Sequence, residues 1–286
     1  MRVALNWDDY ELIDTSDGNR LERWGNKILV RPDPQIIWNT RKVDSRWNNV
    51  DARYYRSSKG GGSWKYFTGK ILSQNICWEG LNFKVEPTGF KHMGLFPEQA
   101  TNWEFFMNKI KEASRPISVI NLFAYTGGAT LACAKAGASV CHVDASKGMV
   151  SWARENAKLS FLEKSPIRWI VDDCEKFVAR EIRRGRKYDA IILDPPSYGR
   201  GPNGEIWKIE NKIYDLLTML KQLLSDFPLF FALNSYTSGL SPQTMKYLVE
   251  VTIADSFGNL SCDEIGLNVS KTDFELPCGN TALAWN

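Results

Sequence analysis

The chain has 286 residues, 43% of them hydrophobic and 24% charged, with a formal net charge of +3. That length suits two domains better than one, and so small a charge excludes a uniformly basic nucleic-acid binder. There is no run of about 18 apolar residues to cross a membrane. The six cysteines form no C-x-x-C pair, and with His92 and His142 as the only histidines a zinc site is not expected. The polar start Met1–Tyr10 is no signal peptide, so a reducing, cytoplasmic setting is expected.

Residues 10–90 read as short strands broken by turns. Asp17-Gly18 and Gly25-Asn26 supply permissive backbone for tight turns. Pro32 and Pro34 place any strand there at an edge or beyond them, and "ICWEGLNFKVEP" alternates as one half-buried strand. The first segment, 1–90, is therefore a small mainly-β N-terminal domain. It holds six of the 11 tryptophans. From Arg41 to Lys70 eight basic residues stand against Asp44 and Asp51, interleaved with Trp47, Tyr54, Tyr55, Trp64, Tyr66 and Phe67. Such a run suits a phosphate-rich partner with unstacked bases; a solvated hairpin with its aromatics turned inward explains it equally well.

The pattern changes at Phe96. "FPEQATNWEFFMNKIKEA" has helical spacing, and apolar runs then alternate with helices as far as "PLFFALNSY". Strands alternating with helices of ten or more residues imply parallel βαβ units. The expected fold of 91–286 is thus α/β, a doubly wound, Rossmann-like sheet.

In such sheets ligands sit beyond the carboxyl ends of the strands, so the strand ends are where functional groups are expected. The first strand ends in "NLFAYTGG", where Gly127 and Gly128 let backbone approach a ligand or simply make a tight turn. The second ends in Asp144, seventeen residues after Gly127, an acceptor for both hydroxyls of a ribose or else a helix N-cap. The third ends in Asp172-Asp173, with Asp173 preferred for an adenine amino group and an N-cap as the alternative. The fourth ends in Asp194-Pro195-Pro196-Ser197-Tyr198, a rigid, acceptor-rich lip suited to a nitrogenous edge. The Gly-rich loop that follows carries Arg200, Trp207 and Lys208, which either clamp a polyanion or edge a lid.

"NLFAYTGG", "HVDAS", "DDCEKF" and "ILDPPSYG" resemble motifs I to IV of class I S-adenosylmethionine (SAM)-dependent methyltransferases. More narrowly, "GFKHMGLFPEQ" and "LDPPSYGRG" are similar to the bacterial 23S rRNA methyltransferase group that includes cytosine-C5 and guanine-N7 enzymes. The resemblance covers about residues 85–286. The N-terminal β part resembles the small domain that lies between PUA and catalytic domains in that group, without a PUA-like segment here. The resemblance implies SAM as cofactor, a methyltransferase sheet and an RNA substrate, with no metal and no membrane partner. By position it assigns Phe123, Tyr125, Gly127 and Gly128 to the methionine part, Asp144 to the ribose and Asp173 to the region of the adenine. Asp194, Pro195 and Pro196 would line the acceptor pocket, Asp194 also bordering the cofactor. Lys91, Phe96 and Gln99 would close over the cofactor, although Phe96 also suits a hydrophobic staple.

Methylation at cytosine C5 requires a cysteine thiolate to activate the ring. The related C5 enzymes carry it after the fifth strand, where Asn234–Gly239 has none; Cys278, in the one Pro-Cys dipeptide, is the remaining candidate and otherwise a packed thiol. A nitrogen acceptor is therefore favoured. A methyltransferase for a small molecule or protein stays open, as do a nucleotide-binding oxidoreductase and a non-catalytic binding module.

Overall fold

In a computed structural model, residues 1–57, 61–199 and 206–286 are described, together with the backbone of Arg200. The chain forms two compact units. One comprises Arg2–Thr101 with Gly266–Cys278, the other Asn102–Ile265 with Gly279–Asn286 and Met1. The boundary near residue 90 expected from sequence is replaced by one at 101, and a late segment joins the first unit.

The first unit contains β1 (Arg2–Ala4), β2 (Tyr10–Ser16), β3 (Asn19–Trp24), β4 (Lys27–Pro32), β5 (Ala52–Arg56), β6 (Gly62–Tyr66), β7 (Gln74–Trp78) and β8 (Leu81–Val85). Strands β2 to β6 make a sheet in chain order, and β7–β8 make a separate ribbon. The turn between β2 and β3 places Asp17 and Gly18 at φ +51° and +70°, the left-handed pair of a tight hairpin. Glu79-Gly80 plays the same part between β7 and β8. "ICWEGLNFKVEP" is thus two paired strands and not one, because the Glu-Gly step reverses the chain. Pro32 closes β4, so that strand precedes the prolines.

Ile13, Leu21, Val30 and Trp47 form the apolar centre of this sheet. Beside it Glu22 is fully buried and takes two bonds from Arg31, at 2.6 and 2.7 Å, and one from the Tyr10 hydroxyl at 2.8 Å. Residues 266–278 belong here because Ser270 and Lys271 donate their amides to the Leu12 and Ile13 carbonyls. β2 thereby gains a neighbour from the far end of the chain.

The second unit contains α1 (Ala100–Glu112), β9 (Ser118–Leu122), α2 (Gly128–Lys135), β10 (Ser139–Asp144), α3 (Lys147–Leu159), β11 (Ile167–Val171), α4 (Cys174–Arg183) and β12 (Ala190–Leu193). It continues with β13 (Tyr198–Arg200), β14 (Ile206–Lys208), α5 (Ile209–Lys221), β15 (Phe230–Ser235), α6 (Pro242–Thr252), β16 (Asn259–Asn268) as far as Ile265 and β17 (Glu275–Trp285) from Gly279 onward. The strand order is β16–β17–β15–β12–β9–β10–β11, with β11, β10, β9, β12 and β15 parallel and β17 antiparallel to β15.

Side chains alternate across a strand, and here both alternations are apolar, as a sheet covered on two faces requires. Ile120, Leu122, Ile191, Leu193, Phe231 and Leu233 face Phe177 of α4, Leu217 of α5 and Val249 of α6. The opposite parity meets the other helices: Phe230 stacks on Phe106 of α1 with centroids 5.1 Å apart, and Asn121 bonds Thr130 of α2 at 2.9 Å. The doubly wound, Rossmann-like α/β fold expected from the alternation is present.

Candidate active site

The chain lays down β9, β10 and β11 in one direction and then returns to place β12 on the other side of β9. This is the switch point at which such sheets open a crevice beyond their carboxyl ends. The registers Leu122↔Val143, Asp144↔Val171 and Leu193↔Leu122 align the four tips along one edge. Three strand spacings of about 4.8 Å put the outer tips roughly 14 Å apart.

The loop leaving β9 is bent into unusual backbone. Phe123 and Tyr125 lie at φ +55° and +50°, a region that costs a non-glycine residue about 1 kcal/mol or more. Neighbouring tips hold it there. The amide of Phe123 donates to the Cys174 sulfur at 3.3 Å, that of Ala124 to the Val143 carbonyl at 3.1 Å, and that of Tyr125 to Asp144 Oδ2 at 2.9 Å. Gly127, at φ +89°, caps α2, and a β-carbon there would stand 3.0 Å from Ala153 Cβ. One on Gly128 would collide with the Trp103 indole, so packing of α1 on α2 by itself accounts for that glycine.

Asp144 is half-buried. Its second oxygen accepts from the Ser146 amide at 2.8 Å, while Ser146, not Asp144, caps α3. Two backbone donors therefore lock the carboxylate, and each oxygen keeps a second lone pair for a further donor. Burial raises its pKa, against the lowering effect of the Ser146 and Tyr125 amides. Asp173 does cap its helix, accepting from the Lys176 amide at 2.9 Å through Oδ1, and Asp172 pairs with Arg180.

At the end of β12 the side chain of Asp194 is oriented by a relay absent from the sequence reading. Asn234 Nδ2 donates to Asp194 Oδ1 at 2.8 Å, Thr281 Oγ1 to Asn234 Oδ1 at 2.7 Å, and Asn102 Nδ2 to Thr281 Oγ1 at 3.0 Å. All three supporting residues are buried. Pro195 is buried and Pro196 exposed. The Pro196 carbonyl already accepts from Trp207 Nε1 at 2.6 Å, so the lip is less open to a ligand than two bare proline carbonyls would be. Trp207 also packs on Phe123, centroids 5.0 Å apart. It is tied to the site as part of the β13–β14 ribbon and is no free lid edge. The side chain of Arg200 lies outside the described residues, and Lys208 precedes α5 as its N-terminal flank.

Lys91, Phe96 and Gln99 belong to the first unit. Lys91 Nζ donates to the Pro32 carbonyl at 3.3 Å, and burial, helped by Arg31, lowers its pKa to about 8. Phe96 packs on His92 at 5.2 Å and leads a 3-10 turn, Pro97–Gln99, whose last amide donates to the Phe96 carbonyl. Cys278 is in the same unit, buried, with its sulfur 3.4 Å from Arg20 Nη2; burial pushes the thiol far above its ordinary range.

The donor set at the second unit's edge fits an adenosyl sulfonium: an anchored carboxylate on the middle tip for a diol, a strained loop beside it for the amino-acid part, and an oriented carboxylate on β12. Among the described residues no group of three His, Cys, Asp or Glu side chains is placed to hold a metal ion, and no helix is long and apolar enough to cross a membrane.

Fold and site together define an α/β methyltransferase, and comparison with known proteins agrees. The model of the S-adenosylmethionine-dependent methyltransferase family matches residues 39–227, and the chain belongs to that family. A crystal structure of a SAM-dependent methyltransferase from Agrobacterium tumefaciens is 35% identical, with a TM-score of 0.94 over 99% of this chain and 92% of that one. The ribosomal RNA large subunit methyltransferase K/L of Magnetococcus marinus is 28% identical over 252 residues, 87% of this chain and 31% of the relative. Its counterpart from Shewanella frigidimarina is 32% identical over 148 residues, 51% of this chain and 20% of the relative. The chain thus spans about a third or less of the length of these curated relatives.

Proposed function

We propose that the chain methylates a nucleobase of RNA, ribosomal RNA first among candidates, with SAM as donor and a ring or exocyclic nitrogen favoured over cytosine C5. The observation that carries this reading is the relay that holds Asp194 at the tip of β12, beside the buried Pro195. SAM supplies a methyl group on an electrophilic sulfonium. The chain has to align the acceptor and exclude water. Asp144 binds and orients the ribose, the 123–127 loop carries the methionine part, and Asp173 borders the adenine through the oxygen that does not cap α4. Asp194 receives an N–H of the acceptor base and fixes its plane; for an exocyclic amine it takes up the proton lost on transfer.

Two features favour nitrogen. Asn234–Gly239 contains no cysteine, and Cys278 is a buried thiol. RNA as substrate is supported by the curated relatives, which act on large-subunit ribosomal RNA by name, and by the basic and aromatic residues of the N-terminal unit. The test is transfer of labelled methyl from SAM to total RNA, ribosomes and a cleared protein extract from cells lacking the gene, followed by nucleoside mass spectrometry. A methylated base at nitrogen is expected. Label confined to protein or to small molecules would overturn the RNA reading, and 5-methylcytidine would overturn the choice of atom.

A further inference from the structure

The N-terminal unit contains a cavity of about 680 Å³ that the methyl-transfer chemistry does not use. It lies between the segment 38–43, which follows β4, and the late segment 269–277. Its walls are Trp38, Val269, Leu276 and Phe274, and Arg41 and Lys271 stand among the lining residues. We propose that this cavity is a nucleotide pocket for single-stranded RNA, one unstacked base entering against Trp38 and Phe274 while its flanking phosphates meet Arg41 and Lys271. The inference rests on the reading of the chain as an RNA methyltransferase.

Three features select that occupant. The Trp38 indole is fixed in place, its N–H shared between the Thr15 carbonyl and Oγ1 at 3.2 Å each, so it offers a rigid aromatic wall. Phe274 is 72% exposed, an aromatic ring largely open to contact. Flat aromatic surfaces of this kind stack any base. The charges then decide against a purely apolar ligand. Arg41 has no ion-pair partner among the described residues, and Lys271 reaches only Asp44, at 4.0 Å, a carboxylate that Arg46 already holds at 2.8 Å. Of the two acidic lining groups, Asp14 is buried and accepts from Trp47 Nε1 at 2.7 Å and from the Thr15 amide at 2.8 Å, and Glu275 is exposed to solvent, so the two cations meet one buried and one solvated carboxylate. An apolar slot with cations at its margin fits a base joined to phosphates.

The test uses the full chain with short single-stranded RNAs carrying 4-thiouridine or 2-aminopurine, and the variants Phe274→Ala, Arg41→Ala and Lys271→Ala, all at exposed positions. Photo-crosslinks are expected in peptides covering 38–43 or 269–277. Phe274→Ala should weaken binding about 10-fold and relieve 2-aminopurine quenching. Arg41→Ala and Lys271→Ala combined in one chain should lower the slope of log K against log salt by about 1.4, two phosphate contacts' worth. SAM affinity should be unchanged in all three. Wild-type RNA binding that survives every variant, with crosslinks elsewhere, would overturn the pocket and leave the RNA reading standing. Absence of RNA binding by the wild type would overturn both.

Discussion

Asn234 donates its side-chain amide to Asp194 at 2.8 Å while its own oxygen accepts from Thr281 at 2.7 Å, so neither end of the Asn234 amide can flip without losing both bonds. Asp194 and Thr281 lie 87 positions apart in sequence, yet one side chain couples them.

The first prediction follows from that coupling. Asn234→Ala should lower kcat about 10- to 100-fold and leave the Kd for SAM within about 3-fold, because it frees Asp194 without touching Asp144. Asn234→Asp sets two carboxylates face to face, which raises the pKa of the pair. Its activity should fall off at higher pH than that of wild type on the acid limb of the kcat profile. Equal loss of kcat and SAM affinity would contradict the assignment.

A second prediction concerns Asp144. Asparagine there must turn an NH₂ toward either the Tyr125 or the Ser146 amide, donor against donor, at a cost of about 1–3 kcal/mol. Titration with SAM should show at least about 10-fold weaker binding for Asp144→Asn and a larger loss for Asp144→Ala. Unaltered affinity in both would remove Asp144 from the ribose.

Third, Cys278→Ser should keep turnover within about 2-fold, and RNA containing 5-fluorocytosine should form no covalent adduct with the protein. An inactive but folded serine variant, or an adduct, would restore the C5 reaction.

The fourth is a pH effect on stability. His142 is completely buried on β10, with Nδ1 2.9 Å from the Thr130 hydroxyl. Burial first, then the nearby Arg154, lower its pKa from 6.5 to about 3. The folded state therefore holds the ring neutral while the unfolded chain protonates it. Its contribution is present above pH 6.5 and is lost as pH falls toward 3, on the order of 5 kcal/mol in all. His142→Leu should flatten the Tm profile between those limits; an identical acid slope in wild type and variant would refute the linkage.

Much of the catalytic unit could be read in advance because its signals are local. Apolar runs alternating with helices mark β9 to β12, and carboxylates sit where those runs stop. Asp173 shows the limit of local reading: the same residue both caps α4 and stands at a strand tip, and the sequence "DCEKFV" is compatible with either. Gly128 shows a second limit, since its neighbour Trp103 is distant in sequence and a paired glycine looks alike whether it admits a ligand or an indole. The Asn102–Thr281–Asn234 relay had no local mark at all. Its members are 179 and 47 residues apart, and buried asparagines and threonines resemble solvated ones until a fold assembles them. The same holds for residues 266–278, whose place beside β2 depends on two backbone bonds no periodicity announces.

That late segment has a temporal consequence. Most of the N-terminal unit is synthesised before the catalytic unit, but it stays incomplete until residue 278 has emerged. Its sheet has to wait with β2 bare along one side, exposed to pairing with a neighbouring nascent chain, while the catalytic sheet is being synthesised. Completion of that sheet then waits on synthesis of the intervening catalytic unit, and Ser270→Pro, which removes the amide donated to the Leu12 carbonyl, should lower the yield of folded protein.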